Sequence, residues 1–186
     1  MASVQTPAAT LEDLARVTEK AELIDGRIVP LMPIGRKPGR VAGRIYRSLD
    51  DYATQTGRGE AYPDNAGFTV PRLSSGRQSF APDASYYLGP FPDDPMRFLE
   101  GPPTLAIEAR SENDYTPSAA AELAAKRADY FEAGTRIVWD VDLVAECIHV
   151  YRAEAPAQPT TFRRGQVVDA EPLLPGWRID VDWIFA

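Results

Sequence analysis

The sequence predicts an α/β fold in which a β-sheet is flanked by helices. The main observation is the order of a strand at 104–109, a helix at 117–133 that ends at Gly134, and a strand at 136–142. This order is typical of a βαβ unit. Hairpin patterns near both ends of the chain add further short strands. The length of 186 residues and the 44% of hydrophobic residues predict a single domain over residues 1–186, of which we expect the first ten to be flexible.

The first elements follow from capping and turn signals. Thr10, with Asp13 three residues later, is close to a capping box and predicts a short helix at 11–17. The Asp-Gly pair at 25–26 separates two apolar runs, which predicts a β-hairpin over 21–31 with a type I′ turn.

A longer amphipathic helix is predicted from Gly39 to about Gln55, because apolar side chains recur there at helical spacing. The stretch 36–47 carries five cations and no acid: Arg36, Lys37, Arg40, Arg44 and Arg47. Such a stretch is either a solvated helix face or a surface that follows a phosphate backbone. The sequence leaves both interpretations open.

The middle of the chain is broken by Pro, Gly and Ser. Extended segments are predicted at 59–64, 67–73 and 78–88, and a proline-rich irregular surface loop at 89–103. After the βαβ unit, a hairpin-like pair is predicted at 147–152 and 159–164. The apolar residues of the closing segment, 173–185, are expected to cover the core.

Composition narrows the function classes. No apolar run approaches the roughly 18 residues that span a bilayer, and the first residues do not resemble a secretion signal, so we expect a cytoplasmic protein without membrane contact. Cys147 is the only cysteine and His149 the only histidine, so we expect any metal ion to be a hard, oxygen-binding one. We also expect these two side chains to point to opposite faces of their strand and not to pair.

A carboxylate lies where an apolar strand is expected to continue. Alternation along 104–110 places Ile107 on one face of the strand and Glu108 with Arg110 on the other. A strand that precedes a crossover helix is usually buried on both faces. Glu108 must therefore be paired, protonated or bound to a cation. An ion pair with Arg110 is an open alternative.

A second acid occurs in a similar setting. Asp83 follows Pro82 within an aromatic, extended run, and two acids on neighbouring strand ends can hold one divalent ion through oxygen ligands. A Pro-Asp turn is the simpler alternative. A glycosidase acid pair is another, but no further feature suggests a sugar-binding cleft.

Six segments in order resemble the Uma-type family of predicted restriction endonucleases, within the PD-(D/E)XK nuclease superfamily. They are "ELIDGRIV" at 22–29, "PIGRKPGRVAGRI" at 33–45, "PDASYY" at 82–87, "LAIEARSEND" at 105–114, "KRADYFEAGTRIVWDVD" at 126–142 and "LLPGWRIDVDWIF" at 173–185. The resemblance implies a restriction-endonuclease-like mixed β-sheet flanked by helices, a Mg²⁺ (or Mn²⁺) site, and hydrolysis of DNA phosphodiester bonds.

The resemblance also assigns roles to single residues. It implies that Asp83 and Glu108 are catalytic acids that bind the metal, and that Glu22 is a further acid of the site. Arg110 stands where the superfamily has a lysine, and family members take that lysine from the following helix, at Lys126. An ammonium can orient or activate water, whereas a guanidinium stays charged. An exposed strand charge at Glu22 and a solvent-facing helix lysine at Lys126 are the open alternatives.

Substrate contacts and assembly complete the predictions. Arg110, Arg40 and Arg44 are expected to bind phosphate groups of DNA. The net charge of −7 predicts weak, salt-sensitive DNA binding, and a homodimer is expected for a nuclease that cuts both strands. Pro38 stands where the family often has a histidine. Together with Arg110, this departure keeps open a catalytically decayed binding or assembly module.

Overall fold

The computed structural model describes residues 8–186. Most of the ten residues predicted to be flexible lie outside the described residues. Ala9, which is described, donates a hydrogen bond to the carbonyl of Gly26 at 2.8 Å. The helices are α1 (Leu11–Leu14), α2 (Arg36–Thr56), α3 (Pro117–Ala133) and α4 (Val181–Phe185). The strands are β1 (Ala21–Ile24), β2 (Arg27–Pro30), β3 (Glu60–Pro63), β4 (Phe68–Thr69), β5 (Ser79–Phe80), β6 (Ala84–Tyr87), β7 (Leu99–Glu100), β8 (Leu105–Ala109), β9 (Ile137–Asp142), β10 (Cys147–Arg152), β11 (Ala155–Arg163), β12 (Val167–Asp169) and β13 (Arg178–Asp180).

The predicted α/β fold is confirmed. Within the described chain, six strands form a mixed sheet in the order β11-β10-β9-β8-β6-β3. Strands β8 and β9 are parallel and are joined by α3, whereas the other neighbours are antiparallel. The helix ends at Gly134, whose φ of 109° suits a residue without a side chain. The strand order therefore confirms the βαβ unit.

The central sheet is buried on both faces. On one face, Ile45 and Leu49 of α2 pack with Ile107 and with the stacked rings of Trp139 and Trp177. The C-terminal segment contributes to the same core, which confirms that it covers the sheet. The opposite face packs against α3 and β4–β5 and is more aromatic: Phe68, Phe80, Tyr87 and Tyr130 belong to it. Because both faces are covered, a charged side chain on β8 must find its partners inside the protein.

The predicted N-terminal hairpin is confirmed. Strands β1 and β2 pair antiparallel, and Asp25 and Gly26 have positive φ values of 49° and 67°, as a type I′ turn requires. The hairpin is tied to β5 and to the residue before it, because the N–H of Leu23 donates to Ser79 Oγ at 2.7 Å and that of Gln78 to the Leu23 carbonyl at 2.8 Å. These bonds hold β1 at the edge of the site.

Several boundaries differ from the predictions. Helix α2 begins at Arg36, before the predicted Gly39, because Pro38 lies in the first turn, where no backbone N–H is needed. The proline-rich loop contains β7, which pairs in parallel with β4. Strand β11 begins at Ala155, ahead of the predicted 159. None of the described helices combines the length and apolar character needed to cross a membrane.

Candidate active site

A cleft of about 360 Å³ lies between the β1–β2 hairpin, the ends of β6 and β8, and helix α3. Its wall contains every acid and lysine that the sequence analysis assigned to catalysis: Glu22, Asp83, Glu108 and Lys126. Arg110 also lines the cleft. Four segments that are far apart in the sequence thus meet in one place.

Asp83 is held by the neighbouring strand. It directly precedes β6, and its backbone N–H donates to the carbonyl of Ile107 at 3.1 Å. Its Oδ2 accepts the backbone N–H of Ala109 at 2.9 Å, and its Oδ1 accepts a hydrogen bond from Lys20 Nζ at 3.2 Å. One carboxylate oxygen is therefore fixed by the sheet, and the other faces a flexible cation.

Glu108 faces α3 rather than Arg110. Its Oε1 lies 2.9 Å from Lys126 Nζ and accepts the hydroxyl of Tyr130 at 2.6 Å. Within residues 8–186, Glu108 forms no ion pair with Arg110, so that alternative is wrong. Its second oxygen, Oε2, accepts no hydrogen bond from any of the described residues, and the side chain is 16% exposed. Glu108 thus keeps one oxygen for another ligand.

Glu22 is an interior residue. It is only 2% exposed, which rules out the alternative of an exposed strand charge. Its Oε1 accepts the N–H of Ala81 at 3.0 Å and lies 3.2 Å from Lys126 Nζ, while Oε2 pairs with Arg77. Arg77 in turn donates to Asp129 at 2.8 Å. Glu22 is therefore anchored on three sides.

Lys126 lies between Glu22 and Glu108, with its side chain 17% exposed, so it is not a solvent-facing helix lysine. Burial alone lowers the pKa of Lys126, but the charges of Glu108 and Glu22 outweigh this effect and raise the pKa above its ordinary value. Lys126 is then an ammonium at neutral pH. It can donate hydrogen bonds to water or phosphate, but it is poorly suited to accept a proton.

The two acids beside Lys126 differ in their electrostatics. Burial raises the pKa of Glu22, but Lys126, Arg77 and the Ala81 N–H lower it more, so that its pKa falls below the ordinary value. Burial also raises the pKa of Glu108; Lys126 opposes this, while the negative charges of Asp83 and Glu22 raise it further. The net pKa of Glu108 lies above the ordinary value. Of these two acids, Glu108 is therefore the one whose charged form would gain more from a further cation.

We name these residues the carboxylate cluster: Glu22, Asp64, Asp83, Glu108 and Asp129 with Lys20, Arg77 and Lys126. Counted over the described residues, its ion pairs contain five carboxylates and three cations. The excess of two negative charges equals the charge of one divalent ion. The atoms that could bind a metal ion are carboxylate oxygens, which Mg²⁺ and Mn²⁺ prefer as ligands. The residues present therefore fit such an ion.

Sequence reasoning missed Lys20, Arg77 and Tyr130 as members of the site. Lys20 is two residues before Glu22, so strand alternation was an available signal for placing both on one face. Arg77 and Tyr130 carry no comparable signal, because their contacts depend on how the hairpin and α3 meet the sheet.

Arg110 belongs to a separate group, which we name the arginine fork: Arg110, Arg127, Asp140 and Asp142. The guanidinium of Arg110 donates to both oxygens of Asp140, at 2.7 and 2.9 Å, and to Asp142 at 3.0 Å. Arg127 adds a bond to Asp140 at 3.1 Å. The charges of two acids from β9 are therefore balanced by those of two arginines. Arg110 lines the cleft, but most of its N–H groups already donate to Asp140 and Asp142.

The structure does not bring the arginines of α2 into the described lining of the cleft. Arg40 is exposed. Arg44 donates to the carbonyls of Trp183 at 2.6 Å and Ile184 at 3.3 Å, and Arg47 lies over the ring of Trp183. Arg44 and Arg47 thus hold the C-terminal helix against α2.

One expectation about soft ligands is wrong. Cys147 and His149 are two residues apart, so they share a face of β10, and their Sγ and Nε2 atoms lie 3.6 Å apart. Cys147, His149 and Asp142 each offer one atom that can bind a metal, and these three atoms lie within 4.8 Å of one another. In the described chain this is the one group of three or more His, Cys, Asp or Glu side chains that meets this criterion. The oxygens of Asp142, however, already accept bonds from Arg110, Tyr115 and two backbone N–H groups, which disfavours a cation there.

Comparisons with known proteins identify the fold and the family. The overall fold resembles the crystal structure of a "putative nuclease belonging to DUF820" from Anabaena variabilis ATCC 29413, with a TM-score of 0.72 and 19% identity over 95% of this chain and 97% of that one. Among curated proteins, no match to the sequence was found. The profile of the Uma2 family, described as "Putative restriction endonuclease", matches residues 8–182. The protein therefore belongs to the Uma2 family of restriction-endonuclease-like proteins, as the six sequence segments predicted.

Proposed function

We propose that this protein is a metal-dependent endonuclease that hydrolyses phosphodiester bonds of DNA. The observation that carries the proposal is the position of the Lys126 ammonium, which contacts Glu108 at 2.9 Å and Glu22 at 3.2 Å in the cleft that Asp83 also lines. Membership of a nuclease family and a nuclease-like fold support the same reaction class.

Asp83 and Glu108 would hold the ion, Mg²⁺ or Mn²⁺, through Oδ1 and Oε2. When bound, the ion supplies Lewis acidity to the scissile phosphate and to the attacking water. The protein orients these two oxygens in advance, because the Ala109 N–H fixes Asp83 and the Tyr130 hydroxyl fixes Glu108. Such preorganisation reduces the rearrangement needed during the reaction.

Lys126 acts as a hydrogen-bond donor in this proposal. Its raised pKa keeps the ammonium charged, so it positions the attacking water and stabilises negative charge on the phosphate. Glu22 holds Lys126 from the other side and is itself held by Arg77. Glu22 is therefore a positioning residue that aims the ammonium into the cleft.

DNA would approach along the start of α2. Ile34 lines the cleft, and α2 begins two residues later with Arg36. Arg36 and Arg40 are exposed there and can contact the phosphate backbone, while Arg44 is engaged by the C-terminal helix. The start of a helix also presents backbone N–H groups to phosphates. Salt-sensitive DNA binding, a homodimer and a cytoplasmic location stay predictions.

Arg110 does not by itself favour the decayed-module alternative. That alternative rested partly on arginine at the lysine position of the strand, but the cleft has an ammonium from α3 at Lys126, and Arg110 belongs to the arginine fork. A decayed module would also have no need for an excess of negative charge around the open oxygen of Glu108 and the lysine-bound oxygen of Asp83.

The direct test is nicking of supercoiled plasmid with Mn²⁺ by the wild type, Lys126→Ala and Lys126→Met. Arg136→Ala is the control, because it removes a cation that pairs with the exposed Glu154 and lies outside both the described cleft and the start of α2. We expect both Lys126 variants to lose nicking by about 10²-fold or more and the control to retain it. Nicking at wild-type rates by folded Lys126 variants would rule out the role of Lys126, and no nicking by the wild type with any divalent ion would favour the decayed module.

A further inference from the structure

Lys20 lies at the cleft rim and contacts the oxygen of Asp83 that an ion would need. We propose that Lys20 is a built-in competitor of the divalent ion: its ammonium occupies Asp83 Oδ1 in the ion-free protein and is displaced to Asp64 when the ion binds. The inference rests on the proposed function, because it takes Asp83 as a metal ligand.

The two oxygens of Asp83 are not equivalent. Oδ2 accepts the backbone N–H of Ala109 at 2.9 Å, and this donor belongs to β8 and cannot move away. Oδ1 lies 3.2 Å from the Nζ of Lys20. The carboxylate is only 9% exposed, so it has little access to other cations from solvent. Oδ1 is therefore the oxygen more available to an ion, and an ion bound there would share it with Lys20 or displace Lys20.

Lys20 has a second partner to which it can retreat. Its Nζ also contacts Oδ1 of Asp64, which follows β3 and has a side chain that is 41% exposed. The backbone of Lys20 is held, because its carbonyl accepts the N–H of Leu31 at 2.9 Å. Rotation of its four-carbon side chain is then enough to leave Asp83 while the contact with Asp64 persists.

Lys126 offers no such freedom. Its ammonium contacts Glu22 at 3.2 Å and Glu108 at 2.9 Å, and the Glu22 side chain is only 3% exposed. Displacing Lys126 would leave Glu22 with Arg77 alone and Glu108 with no cation among the described residues, which is strongly unfavourable at such a shielded site. The cleft therefore has one fixed ammonium, Lys126, and one exchangeable ammonium, Lys20.

A purely structural role for Lys20 predicts a different result. If Lys20 only neutralised Asp64 and Asp83, removing it would lower stability without strengthening ion binding at a specific site. If Lys20 competes with the ion, removing it leaves Asp83 Oδ1 open and removes a positive charge next to it. Ion affinity is thus the measurement that separates the two roles.

The test is calorimetric titration of the full chain with Mn²⁺ alone, without DNA. Lys20→Met and Lys20→Gln both remove the ammonium, and two substitutions guard against a folding defect in one of them. Lys37→Met is the matched control, because it removes the same charge from a lysine that pairs with Glu146 at 2.9 Å and does not line the cleft. Asp83→Asn, alone and combined with Lys20→Met, identifies the site that is titrated.

We expect both Lys20 variants to bind Mn²⁺ about tenfold more tightly than the wild type, and Lys37→Met to stay within about twofold of it. The gain should vanish in the Asp83→Asn background. Unchanged or weaker binding in the Lys20 variants, with binding that still depends on Asp83, overturns this inference alone. Binding that ignores Asp83→Asn, or no binding in any variant, overturns the metal assignment and this inference together.

Discussion

The carboxylate cluster and the arginine fork come within two residues of each other on the chain, at Glu108 and Arg110, but their charges are matched in different ways. In the fork, two arginines meet two acids, and Arg110 donates to both oxygens of Asp140. In the cluster, carboxylates outnumber cations, and Glu108, which lines the cleft, has one oxygen that accepts no hydrogen bond within the described residues. Among the described residues, the charges of the fork balance, whereas the cluster has an excess of negative charge that one more cation could neutralise.

The choice of cation follows the same division, except for Arg77, the one guanidinium of the carboxylate cluster. Guanidinium groups form the fork, because their planar array of donors matches a carboxylate in a fixed geometry. Ammonium groups face the cleft, where Lys20 and Lys126 hold single oxygens. A flexible ammonium can rotate away from one oxygen to another ligand more easily than a guanidinium bound at two points. Under the proposed function, the fork stabilises the fold and the cluster serves the reaction.

The largest effect on activity is expected from Glu108→Gln. This change removes a proposed metal ligand and should lower plasmid nicking by about 10²- to 10³-fold. Because burial and neighbouring acids already disfavour the charged form of Glu108, the melting temperature should not fall. Nicking assays and thermal unfolding of the same preparation check both statements. Normal nicking by this variant would show that Glu108 is not a metal ligand that the reaction needs.

The largest effect on stability is expected from Asp140→Asn. Asp140 is 2% exposed and accepts three hydrogen bonds from Arg110 and Arg127. Losing the charge should lower the free energy of unfolding by about 3 kcal/mol, measured by urea denaturation, while Mn²⁺ affinity stays close to that of the wild type. Glu154→Gln, at an exposed ion pair with Arg136, is the control and should have little effect. A loss of ion binding as large as that in Glu108→Gln would show that the two groups are not separate.

Arg110→Lys gives an intermediate effect that sharpens the comparison. It restores the lysine of the superfamily pattern but loses the bidentate contact with Asp140. We expect the free energy of unfolding to fall by about 1–2 kcal/mol and Mn²⁺ affinity to stay unchanged. Fluorescence anisotropy with labelled DNA tests the predicted substrate contact of Arg110. A fall in DNA affinity at unchanged ion affinity would show that the fork also binds substrate.

The smallest effect is expected at a surface ion-pair group. Arg164 and Lys37 lower the pKa of Glu146 to about 2, so the folded state favours its charged form. The stabilisation is present above the ordinary carboxylate pKa of about 4.3 and is lost as the pH falls toward 2. Because these side chains are partly exposed, Glu146→Gln should cost less than about 1 kcal/mol at neutral pH. Melting curves between acid and neutral pH should converge for variant and wild type at the acid end.

Much of the fold could be predicted from the sequence because it depends on local patterns. The Asp-Gly turn, the spacing of Ile45 and Leu49, and Gly134 after α3 each determine a single element. The two-residue strand β7 was missed, since so short a strand is defined by its partner β4 and not by its own sequence.

The site was predictable only in part. The resemblance supplied Glu22, Asp83, Glu108 and Lys126, and the structure places all four on one cleft. The partner of Glu108 could not be read from spacing, because alternation along β8 identified its face but not the lysine on α3 that meets it there. The partners of Arg110 depend on the register of β8 and β9, in which Glu108 lies opposite Asp140. Contacts between distant segments were therefore beyond the sequence.

The measurement that tests the central claim most directly is the stoichiometry of Mn²⁺ binding. Binding is monitored during a titration through the electron paramagnetic resonance signal of Mn²⁺. The account predicts one tight ion per chain, lost in Asp83→Asn and in Glu108→Gln and retained in Cys147→Ser. Retention of the tight ion in both acid variants would contradict the account. So would loss of the ion in Cys147→Ser alone, since it would place the ion beside His149 instead of between Asp83 and Glu108.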